Sequence, residues 1–441
     1  MSRQTGSLKA AVAALLLFLA VLCGLSLPAC RESYEPAPLQ PESELEPELG
    51  DATQEPPELV VQIDEGSNGI MVARDIMSVI QQAGPGDVVT VTGANSEVYL
   101  TISLNIPAGV TVRWQASCSS AELINLLELS GSGSFELVAG GSLSCLGPCL
   151  VVMESATGLQ LVIGGGSAES SRYFAIGVAA AGCPVQVDSG QVRATGDDGI
   201  YAITAANSDV TINGGKVSAA GPGNTAILMQ GAAFNMNGGE VTSDGTEGKA
   251  VFVLDGFVNI NGGKISAAQD SSTAVVVGYG SVTVRGGSMS TAGDDSVTLY
   301  CYTSQCRVSG GLLKASGVGS DALVLSDLSS AVVTAGQIES VGEGGWAILV
   351  INGAAACLEG LVKGEQQVSG ELDAILLEVD SLFIAASRDQ GAEGLTVLAA
   401  ASESGGEIGY AWDLSGLAPV IKVEFAVADG DALTLELVWS D

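Results

Sequence analysis

Five Gly-Gly pairs recur at a constant interval along this chain: Gly214-Gly215, Gly238-Gly239, Gly262-Gly263, Gly286-Gly287 and Gly310-Gly311. Weaker copies stand at Gly164-Gly165-Gly166, Gly190, Gly336 and Gly360. A fixed period of about 24 residues marks a stack of like units, none of which can bury its apolar face without its neighbours. On both sides of the glycines apolar and polar residues alternate, as in Val210-Thr-Ile212-Asn-Gly-Gly-Lys-Val217-Ser-Ala219. That period of two describes short strands with one buried face. A third apolar run follows in each unit, for example Ala226-Ile-Leu, Ala250-Val-Phe and Ala274-Val-Val. Three strands per unit leave no room for a helix of ten residues, which excludes α-solenoids and ordinary βαβ units. The Leu-x-x-Leu-x-Leu frame of leucine-rich repeats is missing, and the apolar residues are β-branched. The fold expected is all-β: a parallel β-helix with coils about 4.8 Å apart.

Stacked coils align equivalent residues in columns. Asn213, Asn237 and Asn261 form one beside the glycine corner, where side-chain amides can hydrogen-bond up the stack. Lys216, Glu240 and Lys264 form an outward column of alternating sign, a solvated face with no chemistry in it.

The chain carries a formal charge of -34, yet only 15% of its residues are charged and 47% are hydrophobic. That describes a folded acidic protein, one that repels nucleic acid and anionic lipid, so no nucleic-acid partner is expected. Histidine is absent. Ser-His-Asp and Cys-His catalysis and His-containing zinc sites are thereby excluded.

Arg3 and Lys9 precede an apolar run, residues 10–27, that ends in Leu27-Pro28-Ala29-Cys30. A basic start, a short apolar core and small residues before a cleavage point describe an export signal over residues 1–29. Cysteine directly after the small residue resembles the lipobox of bacterial lipoproteins, and that resemblance makes Cys30 the lipidated first residue of the mature chain. The Pro- and Glu-rich stretch that follows cannot form a core, so residues 30–65 are expected to tether the folded part to a membrane. The location implied is the cell surface or the periplasm. Seven further cysteines, Cys118, Cys145, Cys149, Cys183, Cys301, Cys306 and Cys357, could form disulfides after export. Cys301 with Cys306, and Cys145 with Cys118 or Cys149, are close enough along a coil to pair, but the odd count leaves a free thiol and the connectivity open.

Residues 73–83 place Ile76, Val79 and Ile80 on one helical face that ends at Gly84. Next come Gly86-Asp87-Val88-Val89-Thr90-Val91 and Ile106-Pro107-Ala108-Gly109-Val110-Thr111-Val112. A helix followed by these segments resembles the opening of right-handed parallel β-helix proteins of the pectin-lyase-like superfamily, and with the repeats the resemblance covers residues 66–363. In that reading the helix caps the first coil, whose edge would otherwise be bare. Beyond Gly364 the period fades into longer alternating strands divided by turns, so residues 364–441 are expected to form a small antiparallel β domain that also covers the last coil.

Chemistry concentrates on one edge. Seven or eight residues after each corner come acids: Asp197 and Asp198, Glu247, Asp270, Asp294 and Asp295, then Glu343, with Asp321 slightly later in its coil. Stacked carboxylates repel unless a cation lies between them, and Ca²⁺ accepts oxygen ligands in tolerant geometry. The alternative is plain: acidic turns are common, solvated, and keep strand edges from aggregating. Gly196-Asp197-Asp198-Gly199-Ile200, with Ile212-Asn-Gly-Gly-Lys-Val217, resembles the repeat of bacterial carbohydrate-binding β-helix proteins, which implies Ca²⁺ beside Asp197, Asp198, Asp270, Asp294 and Asp295. The full motif occurs once, and Gly293-Asp294-Asp295-Ser296-Val297 is a degraded copy.

Three functions remain open. A surface lipoprotein that binds polysaccharide or another cell-surface glycan without catalysis is favoured; a structural or adhesive spacer and a polysaccharide lyase are the alternatives. A lyase needs a Lys or Arg base, for which Arg193 and Arg285 are candidates, while the Asn-Thr-Asp and Ser/Gly-His-Gly motifs of hydrolases on this fold are absent. No catalytic residue is assigned. The aromatics Tyr201, Phe234, Phe252, Phe257, Tyr279 and Tyr300 make no regular sugar-stacking row.

Overall fold

The computed structural model describes residues 59–351 apart from Asp198, and beyond them the backbone of the strands between Ala354 and Val438. Cys30, the export segment, most of the tether, and the turns of the C-terminal region lie outside the described residues.

The repeat units close into a parallel β-solenoid of about 11 turns. One coil runs through three strands: Val210–Ile212, Lys216–Ala219 and Thr225–Gln230. The third strands of successive coils build a sheet that runs from Ile102–Ile106 to Ile375–Glu378. The first and second strands merge into another sheet, because in some coils one strand runs through the corner, as in Gln305–Ala315. Register is kept coil after coil: Val210 pairs with Phe234, Phe234 with Val258, and Val258 with Val282. Inward residues of all three faces, including Ile212, Val217, Ile227 and Met229, fill one continuous core.

The two corner glycines answer different demands. A Cβ at Gly262 would lie 2.5 Å from the Asn237 carbonyl oxygen of the preceding coil, and one at Gly286 would lie 2.6 Å from that of Asn261. The second glycine of each pair has positive φ, +75° at both Gly263 and Gly287, where an L side chain is strained. Steric room dictates the first glycine, and backbone handedness the second.

Side chains then lock the stack. Asn237 Nδ2 donates to Asn213 Oδ1 and Asn261 Nδ2 to Asn237 Oδ1, both at 2.9 Å. The ladder has ends that the spacing of asparagines did not reveal. Asn213 Nδ2 donates to Asp188 Oδ1 at 2.8 Å, and Arg285 Nη1 donates to Asn261 Oδ1 at 3.3 Å. Each amide passes its donor one way, so an acceptor must close one end and a donor the other. Glu240 bridges Lys216 at 3.3 Å and Lys264 at 3.5 Å. Burial works to raise its carboxyl, but the two lysines outweigh that and hold it below the usual carboxylate range.

The N-terminal helix begins earlier than its apolar pattern suggests. It spans Gly69–Ile80, because the Asn68 side chain accepts the Met71 N–H and caps it. Val72, Ile76 and Ile80 are buried, and Val79 packs against the core from a half-buried position. Before the helix, within the stretch expected to be tether, Leu59–Ile63 forms a strand that pairs in parallel with Val88–Asn95. After the last repeat, Ile375–Glu378 and Leu382–Arg388 continue the parallel ladders. Leu382–Arg388 then pairs antiparallel with Leu395–Ser402, while Gly409–Asp413, Val420–Ala426 and Ala432–Val438 make a separate antiparallel sheet.

The cysteines with described side chains are thiols in the core. Cys145 Sγ and Cys149 Sγ are 2.9 Å apart, and Cys301 is hydrogen-bonded to Cys306. Burial pushes the Cys118 thiol up to about 12, an inert state for a sulfur nucleophile.

Gly262→Ala is expected to destabilise the fold by about 1–3 kcal/mol, since the added methyl must push two hydrogen-bonded coils apart. Gly84→Ala is the control, because its Cβ would come no nearer than 3.8 Å to an atom outside its chain neighbours. Chemical denaturation of both variants checks the difference.

Candidate functional site

Connectors between the second and third strands form the edge where the sequence gathers its acids. They share one backbone device. Glu247, Ser271 and Asp295 have φ of 56°, 55° and 51°, and Gly223 and Gly319 occupy the equivalent place. Most strand amides donate to the preceding coil, as Thr225 N–H does to Ile200 O. At the left-handed residue the peptide turns over and the N–H points the other way: Ser271 donates to Asp294 O and Asp295 to Val318 O. The turn thus stays hydrogen-bonded to the coils on both sides.

The acids serve the same turn. Asp270 Oδ1 accepts the Asp294 N–H at 2.9 Å, and Asp294 Oδ1 accepts the Val318 N–H at 2.8 Å. Each carboxylate therefore caps the next connector, a charge-assisted hydrogen bond that needs no metal. Asp295 takes the left-handed position beside Asp294. Glu247 and Glu343 are exposed on their own connectors, and Asp321 Oδ1 accepts the Trp346 N–H at 2.8 Å. Among the described residues no three carboxylates or thiols gather in a group that could hold a metal ion. Ca²⁺ takes six to eight oxygens, and Asp270, Asp294 and Asp321 each accept a backbone N–H of the next coil.

Asp197 stands apart. It is exposed and lines a surface cleft of about 430 Å³ with Leu123, Ser171, Arg172, Tyr173, Thr195 and Gly196. The cleft has a simple cause in connector length. Between the paired ends Cys145 and Leu150 the connector is residues 146–149, four residues. On one side, between Ser120 and Leu127, it is 121–126, six residues; on the other, between Ser170 and Ile176, it is 171–175, five residues, and one coil further 195–202 gives eight between Ala194 and Ile203. A short connector between long ones leaves a notch. The short connector is held tightly: Cys145 Sγ and Ser170 Oγ both donate to Gly147 O at 2.8 Å, and Cys149 Sγ donates to Glu169 O at 2.9 Å. The Tyr173 side of the notch presents a ring on a residue that is 47% exposed. Arg172 has no ion-pair partner among the described residues. The result is an exposed aromatic ring beside a cation, an anion and two hydroxyl groups, a set suited to a polar, hydroxylated ligand.

The sequence reading had singled out Asp197 but missed Arg172, Tyr173 and Leu123. A signal was present in the shorter spacing between Cys145 and Leu150, which interrupts the repeat. Asp198 and Cys30 lie outside the described residues. The two bases weighed for lyase chemistry are separated: Arg193 is exposed on a second strand, while Arg285 terminates the asparagine ladder. Of the aromatics, Phe234 is in the core, and Tyr279 is 59% exposed at a turn with φ of 55°. Tyr279 meets Tyr302 edge-on, with ring centroids 5.3 Å apart.

Comparison with known proteins gives no match to a family model, to a curated protein or to a solved structure.

A melting scan in Ca²⁺ and then in chelator distinguishes the two roles open to the acids, because a ligand held only by the folded state raises Tm. With Asp270 and Asp294 engaged by backbone N–H groups, the expected result is the same Tm in both conditions. A rise in Ca²⁺ would mean that the edge binds the cation.

Proposed function

We propose that this protein is an exported, lipid-anchored β-helix that binds an extracellular polysaccharide at the notch over residues 146–149, without catalysis. The observation that carries the reading is the grouping of Tyr173, Arg172 and Asp197 around an open cleft. A tyrosine face stacks on the C–H face of a sugar ring, and a guanidinium with a carboxylate can bracket its hydroxyl groups. A lining this polar favours a hydroxylated ligand over an apolar one. The formal charge of -34 favours a neutral chain over a polyanionic one. Likeness of the repeats to pectin-lyase-like β-helices and of Gly196-Asp197-Asp198-Gly199-Ile200 to carbohydrate-binding ones agrees with this ligand class.

Anchoring rests on the lipobox-like Leu27-Pro28-Ala29-Cys30 and the Pro- and Glu-rich tether. A lipid at Cys30 would hold the notch away from the bilayer, where polymer can reach it. The spacer reading shares the anchor and differs only in lacking a ligand. The commitment of Arg285 to the ladder weighs against a lyase.

A glycan array followed by calorimetric titration is the test. Binding by the wild type should weaken about tenfold in Tyr173→Ala and in Arg172→Ala, a loss of roughly 1.4 kcal/mol each, with no polymer cleaved. Binding to no polysaccharide leaves the spacer, and release of unsaturated products establishes the lyase. For the anchor, Cys30→Ala is expected to abolish incorporation of a clickable fatty acid and to move the protein from the detergent phase to the aqueous phase. Retention of the label in that variant would place the anchor elsewhere.

A further inference from the structure

Alternate residues of the third strands point away from the core, and in the later coils they are apolar. Leu228, Phe252, Val276, Val324 and Leu349 occupy one register column, with the half-buried Tyr300 between Val276 and Val324. Their strand neighbours, among them Ile227 with Met229 and Val275 with Val277, belong to the core cluster, and these five do not. Yet they are no more than 5% exposed, and Val276 is only 1% exposed. Earlier coils carry Ser103 and Glu128 at the same place, and those remain wetter. Tyr302, two residues beyond Tyr300 in its own coil, is also outside the core cluster, and its buried hydroxyl has no hydrogen-bond partner among the described residues. A bare sheet face meets water. Burial this deep, with a phenol hydroxyl shut away from solvent, calls for a covering layer.

The same chain holds a layer of matching chemistry. In the C-terminal antiparallel sheet the register pairs Tyr410 with Val423 and Val423 with Leu435, and Ile421 with Leu437. Along these strands apolar residues alternate with Lys422, Glu424, Thr434 and Glu436. Strand geometry therefore sorts the sheet into one apolar and one polar face. A three-stranded sheet of this kind is not stable until its apolar face is packed. The end of the solenoid does not need it, since the hairpin of Leu382–Arg388 and Leu395–Ser402 already extends the ladder there. Dimensions agree as well. The column from Leu228 to Leu349 crosses six coils, five steps of about 4.8 Å or about 24 Å, and strands of seven residues such as Val420–Ala426 are about 23 Å long.

We propose that the sheet of Gly409–Asp413, Val420–Ala426 and Ala432–Val438 docks its apolar face on the outer side of the third sheet, over the column from Leu228 to Leu349. The C-terminal region then acts as a lateral shield that keeps a flat apolar side of the solenoid from aggregating. Sheet-on-sheet packing of this type buries two apolar faces about 10 Å apart.

Hydrogen exchange on the exported full-length protein tests it. Val276→Asp should speed exchange of the amides in 420–438 at least tenfold, while strand Thr225–Gln230 keeps its protection. Val276→Thr, a near-isostere that leaves the coil intact, should do the same to a smaller degree. Unchanged exchange in 420–438 for both variants would overturn the proposal. In the double variant Val276→Cys with Leu435→Cys, oxidation should give a cross-linked monomer. A cross-linked dimer would overturn it in favour of a second copy on this face.

Discussion

Everything in this molecule depends on neighbouring coils staying within hydrogen-bonding distance all the way round, corners included. Along a strand this is easy, because side chains leave the plane of the ladder. At a corner they do not. There the carbonyl of the coil below occupies the space a Cβ would need, as Asn237 O does at Gly262, and the next residue must take a left-handed conformation, as Gly263 does. A pair of glycines meets both conditions in one step. Once the corners are fixed in this way, register follows, and with register come the columns on which the remaining stability and chemistry are built.

The columns show how an acidic protein can stack its carboxylates. Asp188 accepts from Asn213 at one end of the amide ladder, and Arg285 donates to Asn261 at the other. Chains of hydrogen bonds running in one direction polarise each other, so a charged group of the right sign at each end suits the ladder. On the connector edge Asp270 and Asp294 each receive a backbone N–H from the following coil. Part of the negative charge at this edge thus has a structural use, whereas Asp197 is exposed in the notch.

Two surfaces remain once the scaffold is accounted for, and they differ in kind. The notch is polar, concave, and made by a change in connector length, so it can arise without disturbing the ladder beneath it. The outer side of the third sheet is apolar, flat and continuous over several coils. Surfaces of the first type suit a soluble hydroxylated ligand; those of the second suit another β layer.

Local sequence determined the architecture because the repeat expresses a local requirement: a coil must turn at Gly-Gly and alternate on either side of it. The asparagine ladder and the lysine–glutamate column were legible for the same reason, since equal spacing means equal position in a stack. The start of the helix at Gly69 was not, because it hinges on one capping contact at Asn68 and not on the apolar period. The acids at 270 and 294 could be placed on one edge from spacing, but the backbone N–H groups of the next coil that they accept could not be, because those bonds depend on how each connector turns. The notch was decided at a higher level still. Leu123, Arg172, Tyr173 and Asp197 come from coils with connectors of different length, and only stacking those coils brings their side chains around one space.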